Sequence, residues 1–287
     1  DRWTRAWGVA PAGKICAHNN QPVPVVFHVL EPADPVEMAG RLAERGLAVD
    51  EGPGPRALVV PNRPGRDAIA EVLRDLPGLI VQDVTVQRAT AWLLDGLTAA
   101  PDAGSSQPAL DVCAAPGGKA AALAARWPGP VVAMDASSRR LPLLMETVGR
   151  LERSPVGVVQ ADGNRPPFRP EAFGAVLLDG PCSGTGVLRH HPDGRWRLRP
   201  KVIEDRAANL KKLAASAADL LAPGGLLMYG TCSLEPEENT GVVEALLAER
   251  PDLEPVADRD GRWHRLWLPH EAGGDGFFAA RLRRKWN

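Results

Sequence analysis

The stretch Ala109-Leu110-Asp111-Val112-Cys113-Ala114-Ala115-Pro116-Gly117-Gly118-Lys119 decides the fold. An apolar run passes directly into small residues and glycines, and the alanine-rich segment 120–126 then favours a helix. This order of strand, tight turn and helix is a βα unit. The turn lets the backbone approach a ligand, and the first amides of the helix can bind a carboxylate or phosphate. Alone, the turn is weak evidence, because an ordinary tight turn has the same composition.

Further apolar runs end in Gly or Asp, and each is followed by a helical pattern. Together they extend this unit into a parallel α/β sheet. Strands are predicted over 109–113, 130–135, 156–161, 175–179 and 226–231, and a pair at 263–268 and 276–282 is expected to complete the sheet. Helices are predicted over 120–126, 139–153, 202–221 and 237–249. Residues 101–107, with Gly104, Ser105 and Ser106, are the predicted linker.

Residues 1–80 differ in texture from the rest of the chain. They are rich in Pro and Gly, with apolar runs at 25–30 and 57–60 around an amphipathic stretch at 36–45. We therefore predict two domains, a small α+β lobe over 1–80 and a larger α/β domain over 81–287.

Composition restricts the partners and the setting. The 287 residues carry a formal net charge of −1, so any surface for a polyanion must be local. The four cysteines form no CxxC pair, and we expect no metal. Free thiols, the lack of a signal peptide and the lack of a long apolar run predict a cytoplasmic protein without a membrane partner, and we expect a monomer. The chain begins with Asp, which predicts the later part of a longer protein.

Acids follow the next three predicted strands. Asp135 closes the second strand, Asp162 follows the third and Asp179 ends the fourth. A carboxylate at the end of the second strand can accept both hydroxyls of a ribose. Any one of these acids is more often a cap or turn residue. Three of them around one glycine loop predict a nucleoside-containing cofactor.

Two cysteines occupy polar loops at neighbouring strand ends. Cys182 lies in 179–186, after the fourth strand, and Cys232 lies in 229–233, at the end of the fifth. Such loops carry chemistry more often than strands do, and the fold is expected to bring the two sulfurs together. Cys16 is expected to be a small buried hydrophobe, and Cys113 to pack or to line the cofactor site.

The sequence resembles the RNA (cytosine-C5) methyltransferases, particularly the bacterial RsmB type that modifies 16S ribosomal RNA. Three motifs carry the resemblance: 111–119, 179–186 and 231–239. Residues 81–83, 189–193 and 274–278 are also similar to the family, so the resemblance covers nearly the whole chain. The sequence departs from the family at two places. The family usually has Ala where Gly180 stands, and it has a Ser-rich stretch where this chain has residues 84–87.

The resemblance implies a Rossmann-like class I methyltransferase sheet with an RRM-like, RNA-binding small lobe. S-adenosylmethionine would be held by Asp135, Asp162 and Asp179 together with Cys113, Ala114, Ala115, Pro116, Gly117, Gly118 and Lys119. Cys232 would be the nucleophile, and Cys182 would help to release the product. Members of the RsmB type also carry an amino-terminal helical RNA-binding domain, which this sequence lacks.

The chemistry explains why two cysteines are needed. Carbon 5 of cytosine is a poor nucleophile, and addition of a thiolate to C6 makes C5 reactive enough to take a methyl group. After transfer, Cys182 can remove the C5 proton directly or through water. Asp179 can hydrogen-bond the base, and Lys119 or the cofactor can favour the Cys232 thiolate.

Basic residues with an aromatic follow the first cysteine loop. The predicted RNA contacts are Arg189, His191, Arg195, Trp196 and Arg197. A solvated loop is the alternative reading of the same charges. A second basic cluster, Arg281, Arg283, Arg284 and Lys285, is expected to be a solvated tail.

Three other functions remain open. A DNA cytosine-C5 methyltransferase would use the same addition chemistry with Cys182, the cysteine of its Pro-Cys motif, as nucleophile. A catalytically idle RNA-binding ribosome assembly factor would keep the fold without the reaction. A small-molecule methyltransferase fits least, because it has no use for two cysteines.

Overall fold

The computed structural model describes residues 2–54, 56–62, 64–98, 107–151 and 156–286. The predicted linker 101–107 lies outside these ranges except for Gln107, and so does the end of the predicted helix 139–153. Two helices, α1 (Arg2–Trp7) and α2 (Val9–His18), come first in the chain. No helix within the described ranges is both long and apolar enough to cross a bilayer.

The small lobe is a four-stranded antiparallel sheet with two helices, in the chain order βαββαβ of ferredoxin-like domains. Its strands lie in the order β2-β3-β1-β4. The elements are β1 (Val25–Val29), α3 (Pro35–Ala43), β2 (Asp50–Glu51), β3 (Ala57–Val60), α4 (Arg66–Asp75) and β4 (Leu79–Val81). Helix α3 begins at a proline, and the Asp34 side chain accepts hydrogen bonds from the amides of Val36 and Glu37.

The two faces of the small sheet pack against different partners. Phe27 and Val29 of β1 face the core that α3 and α4 complete. Val26 packs instead with Ala57 and Val84 at the start of the next helix, α5 (Val84–Thr98). An RRM stacks bases on aromatic side chains of its sheet. The face that points away from α3 and α4 is covered here by the larger domain.

The larger sheet is the predicted Rossmann-like sheet. Strands β7-β6-β5-β8-β9 are parallel, and β12 is antiparallel to β9. Both β10 and β11 pair with β12. Its strands are β5 (Ala109–Asp111), β6 (Val131–Asp135), β7 (Val156–Gln160), β8 (Phe173–Asp179), β9 (Leu221–Thr231), β10 (Leu253–Pro255), β11 (His264–Trp267) and β12 (Phe277–Arg284).

Helices cover both faces of this sheet. The helices of this domain after α5 are α6 (Gly118–Arg126), α7 (Leu141–Gly149), α8 (Gly194–Arg197), which lies on the surface, α9 (Pro200–Asp219), α10 (Thr240–Glu249) and α11 (Pro269–Ala272). One core lies between the sheet and α9 with α10, and another between the sheet and α5 with α6. The strand order reverses between β5 and β8, and in open α/β sheets a ligand binds in the crevice beyond the strand ends at such a point.

Three sequence expectations differ from the structure. Helices α1 and α2 contact the larger domain: Arg2 Nε lies 2.7 Å from Glu235 Oε2, and α2 contacts α11. The predicted helix 237–249 is divided into a 3-10 turn, Pro236–Glu238, and α10. The solvated-tail expectation is wrong for Arg281, which is 2% exposed in β12, with its guanidinium 4.1 Å from the ring centre of Trp92.

Candidate active site

The two cysteine loops leave neighbouring strands side by side. Strands β8 and β9 are parallel, with Asp179 opposite Gly230, so both loops start at the same edge of the sheet. The Sγ atoms of Cys182 and Cys232 lie 3.3 Å apart. Two sulfurs at this distance can act on neighbouring atoms of one bound molecule.

A close crossing of backbones holds these loops against the segment before β12. The Gly186 amide donates to the Cys232 carbonyl at 2.9 Å, and the Gly276 amide donates to the Gly186 carbonyl at 2.8 Å. A Cβ atom at Gly186 would lie 2.3 Å from the Gly276 carbonyl oxygen. Glycine is required at Gly186 because only a residue without a side chain fits there.

Gly180, where the family usually has Ala, faces the side chain of a helix. A Cβ atom at this position would lie 2.2 Å from Leu210 Cδ2. The Leu210 side chain on α9 therefore fills the space that the alanine methyl group would need.

Lys119 places a positive charge beside the sulfurs. Its Nζ lies 2.7 Å from Asp179 Oδ2 and 5.2 Å from the ring centre of Phe277. Burial lowers the pKa of Lys119, but the negative charges of Asp179, Asp111 and the Cys232 sulfur outweigh that effect, and the net pKa is raised. The ammonium therefore stays charged, as thiolate chemistry requires.

Cys182 keeps its proton in the free protein. Its hydrogen bond to Cys232, followed by burial, raises the pKa of the Cys182 thiol well above its usual value. Either sulfur can donate in this contact, and the raised pKa makes Cys182 the thiol that stays protonated.

A cavity of about 310 Å³ opens beside these groups. It is lined by every residue of 113–119 except Gly117, and by Asp111 and Asp179. Gly117 caps α6 with φ of 112°, and a Cβ atom there would lie 2.9 Å from Thr147 Cβ. The glycine thus shapes the turn without lining the cavity, whose volume is that of a small-molecule site.

The other two predicted acids lie outside the cavity lining. Asp135 is 4% exposed, and its carboxylate accepts from the amides of Ala115 at 3.0 Å and Ser137 at 2.8 Å. It therefore holds the cofactor loop, and a carboxylate that accepts two bonds keeps further lone pairs. Asp162 is exposed and accepts from the Asn164 amide at 2.9 Å, which is a local turn contact.

Asp111 is a site residue that the sequence analysis did not single out. It is 1% exposed and lines the cavity. Burial, followed by the charge of Asp179, raises its pKa to about 8. The Cys113 amide stabilises its charge weakly, but neither side-chain oxygen completes a hydrogen bond within the described residues. Its position at the end of a strand, directly before Cys113, was the available signal.

The cysteines outside the pair differ from each other. Cys113 is partly buried and lines the cavity, and burial raises its pKa. Cys16 is exposed, so the expectation that it would be buried is wrong.

Arg189 is not placed for the RNA contact that the sequence predicted. Its side chain is 3% exposed, and it lies 2.5 Å from Asp83 Oδ2 and 2.8 Å from Asp275 Oδ1. It thus ties together the segments 81–83, 189–193 and 274–278. Ligand atoms of Asp83, His190 and Asp275 lie within 4.8 Å of one another, as at a metal site, but the Arg189 guanidinium already supplies a positive charge to both carboxylates.

The other predicted RNA contacts lie on the surface around α8. His191 and Arg197 are exposed, and Trp196 is 80% exposed. Arg197 pairs with Asp193. Arg195 is also exposed but donates to Asn20 Oδ1 at 2.7 Å and the Asn19 carbonyl at 2.6 Å, which anchors this segment to the end of α2.

Comparison with known proteins places this architecture in a family. The family described as "16S rRNA methyltransferase RsmB/F" matches residues 99–283. The "Probable ribosomal RNA small subunit methyltransferase B" of Bacillus subtilis is 30% identical, over 99% of this chain and 65% of that protein. The "Ribosomal RNA small subunit methyltransferase B" of Vibrio cholerae is 40% identical, over 74% of this chain and 49% of that protein.

A solved structure supports the fold. The "Methyltransferase Homolog Protein from Pyrococcus Horikoshii" has a TM-score of 0.76 and 24% identity, covering 99% of this chain and 93% of that one. The chain spans about half to two thirds of the length of the two curated relatives named above. Together with the match over residues 99–283, these likenesses establish that the chain belongs to the RsmB/F family of 16S rRNA methyltransferases.

Proposed function

We propose that this chain transfers a methyl group from S-adenosylmethionine to C5 of a cytosine in RNA, through a covalent bond between Cys232 Sγ and C6 of the base. The observation that carries the proposal is the 3.3 Å contact between the sulfurs of Cys182 and Cys232, beside the Lys119–Asp179 ion pair. The names of the relatives favour small-subunit ribosomal RNA as the substrate.

The residues of the cavity suit S-adenosylmethionine. Small side chains at 114–118 leave room for a ligand, and the first amides of α6 can bind its carboxylate. The buried carboxyl of Asp111 lacks a completed hydrogen bond among the described residues, which suits a bound ammonium. When bound, S-adenosylmethionine supplies a methyl group that is electrophilic because it is attached to a sulfonium sulfur.

Cys232 starts the proposed reaction. The Lys119 ammonium and the Cys182 S–H both favour negative charge on its sulfur. The thiolate adds to C6, which makes C5 nucleophilic. The Asp179 carboxylate accepts a hydrogen bond from the exocyclic amine or from a protonated N3, and thereby favours the form of the ring that draws electron density away from C6.

Cys182 completes the proposed reaction. The largest cause of its raised pKa is the hydrogen bond to Cys232. That bond is lost once the Cys232 sulfur is bonded to carbon, so the pKa of Cys182 falls, and Cys182 gives up its own proton to solvent and becomes a thiolate base only after the adduct has formed. It then removes the C5 proton, directly or through water, and Cys232 leaves as the thiolate.

Two cysteine variants test the proposal. Cys232→Ala is expected to abolish transfer of a tritiated methyl group to RNA and to leave cofactor binding intact. Cys182→Ala is expected to accumulate a protein–RNA adduct that survives denaturing electrophoresis. Cys16→Ala, at an exposed cysteine, is the control and is expected to behave as wild type.

The same assay separates the proposed function from the other functions, a DNA methyltransferase and an idle assembly factor. RNA containing 5-fluorocytosine is expected to trap Cys232, as identified by peptide mapping. Trapping of Cys182 on the corresponding DNA would support a DNA methyltransferase, and absence of transfer by the wild type would support an idle assembly factor. Near-normal transfer by Cys232→Ala would disprove the proposal. Bisulfite sequencing of ribosomal RNA with and without the gene would identify the cytosine.

A further inference from the structure

We infer that Glu238 is a positioning residue that sets the contact between the two sulfurs, by holding both cysteine loops on one buried carboxylate. This inference rests on the proposed function, in which Cys182 must reach the adduct that Cys232 has formed. Glu238 touches neither the base nor the cofactor in that reaction. It acts through Ser183 and Ser233, the residues that directly follow the two cysteines.

The contacts of Glu238 converge from both loops. Its Oε1 accepts from the Ser183 amide at 2.7 Å, and its Oε2 accepts from Ser183 Oγ at 2.6 Å. The Ser233 hydroxyl also donates to Oε2. Glu238 is fully buried. One side chain therefore fixes the position of the residue after each sulfur.

A carboxylate suits this place because it only accepts hydrogen bonds and offers about four lone-pair sites. The donors in contact are an amide and two hydroxyls, and charge-assisted bonds of this kind are the stronger ones. Burial raises the pKa of Glu238, while the bonds from Ser183 and Ser233 oppose that rise.

Glu238 is itself anchored to β9. The Tyr229 hydroxyl donates to its backbone carbonyl. The next residue, Asn239, accepts from Thr231 Oγ1 at 2.6 Å and donates to the Ser233 carbonyl at 2.9 Å. The carboxylate is therefore a fixed point rather than a mobile side chain.

Of the remaining contacts between the loops, one lies directly after the cysteines, where Ser183 Oγ and Ser233 Oγ are 3.3 Å apart. The Gly186 amide donates to the Cys232 carbonyl, and the Leu234 amide donates to Thr185 Oγ1 at 2.8 Å. These bonds join the loops three and four residues beyond Cys182, and they persist when Glu238 is replaced. Removal of the carboxylate takes away both short bonds to Ser183 and leaves only its 3.3 Å contact with Ser233, which lets the Cys182 sulfur move away from Cys232.

The first test measures the geometry without the reaction. The protein is equilibrated with oxidised and reduced glutathione, so that two protein thiols and one oxidised glutathione give a Cys182–Cys232 disulfide and two reduced glutathiones. Peptide mapping gives the equilibrium constant. Glu238→Ala is expected to lower this equilibrium constant by about tenfold. A displacement of about 1 Å between reacting groups has effects on reactivity of that size or larger. Glu238→Gln keeps an acceptor for the Ser183 amide and is expected to stay near wild type.

The second test measures the reaction. Glu238→Ala is expected to lower kcat with little change in the affinity for S-adenosylmethionine, and to accumulate the covalent RNA adduct as Cys182→Ala does. Glu237→Ala is the matched control, because Glu237 lies in the same 3-10 turn but points to Arg2. That control is expected to show no adduct.

The outcomes distinguish the two proposals. An unchanged equilibrium constant in Glu238→Ala, with an active wild type, overturns the positioning role alone. Methyl transfer by Cys232→Ala overturns the proposed function alone. If Glu238→Ala does not fold, both measurements are made on Glu238→Asp instead. Its shorter side chain reaches one loop only, so wild-type values of both the equilibrium constant and kcat would overturn the inference.

Discussion

Buried charge is concentrated in a few residues around the cavity. Lys119 and Asp179 form an ion pair at 2.7 Å, and Asp111 lies beside them without a completed hydrogen bond among the described residues. Burying a carboxyl group without partners destabilises its charged form. The protein therefore holds a carboxyl group whose ionisation is opposed by its burial, as is common where a ligand supplies the missing partner.

Asp111 predicts a pH dependence of stability. Its pKa is about 8 in the folded protein, against an ordinary value of 3.8. An acid whose pKa is raised in the folded protein contributes stability that is fully present below pH 3.8. This contribution is lost as pH rises through about 8. Asp111→Asn removes this dependence, so the variant is expected to gain stability over wild type by about 1.4 kcal/mol per pH unit within that window.

Denaturant unfolding at several pH values measures this difference. Comparison with the variant is needed because His28 titrates in the same range, with its pKa lowered to about 4 by burial. A constant difference between the two proteins from pH 4 to 8 would contradict the assignment. Asp111→Asn is also expected to weaken the binding of S-adenosylmethionine, as measured by calorimetry.

At the scale of elements, β8 and β9 create the site. They are adjacent and parallel, so the loops at their ends meet, with the 3-10 turn Thr185–Val187 crossing the segment before β12. Both Gly186 and Gly276 are needed for that crossing, because a Cβ atom at either would overlap the other loop. The contact between Cys182 and Cys232 depends on this crossing as well as on side chains.

Gly186→Ala tests the crossing. The added methyl group would lie 2.3 Å from the Gly276 carbonyl oxygen and 2.9 Å from the Cys232 carbonyl oxygen. We expect a loss of about 1–3 kcal/mol in the free energy of unfolding, with reduced methyl transfer. Gly40→Ala is the control, since its Cβ would meet nothing within 4 Å and α3 is expected to gain stability. Equal stabilities in the two variants, measured by thermal unfolding, would refute the close approach.

The parallel strands could be predicted from the sequence because each is an apolar run that ends in a small residue or an acid. Short edge strands such as Asp50–Glu51 and Leu253–Pro255 have no such run and were missed. Arg281 was misjudged because a run of charges gives no sign that one of them stacks on Trp92. The pairing of Cys182 with Cys232 follows from the strand ends, whereas the part of Glu238 depends on a turn that the sequence predicted as helix.

At the scale of the molecule, a net charge of −1 leaves RNA binding to local surfaces. The segment around α8 offers Trp196 and Arg197 to solvent, next to the first cysteine loop. The small lobe contributes less than an RRM sheet would, because its Val26 face is packed against the larger domain. We therefore expect the phosphate contacts to be concentrated on such a surface, and the affinity for RNA to fall steeply with salt.

Salt titration tests this surface. Arg197→Ala is expected to weaken RNA binding and to reduce the slope of log K against log salt by about 0.7, the value for one phosphate of a single strand. The ion pair between Arg197 and the exposed Asp193 does not prevent Arg197 from binding a phosphate, because ion pairs on the surface are weak. Arg45→Ala, at an exposed residue in the turn that follows α3 of the small lobe, is the control. A slope that Arg197→Ala leaves unchanged would remove α8 from the RNA surface.

The crossing of Gly186 and Gly276 has a consequence for biosynthesis. The segment that closes the two cysteine loops directly precedes β12, and β12 pairs with residues 226–231 of β9. A nascent chain cannot assemble this wall of the pocket while β12 is still inside the ribosomal exit tunnel. During translation, the two cysteines of the proposed reaction are therefore made well before the fold can complete their surroundings.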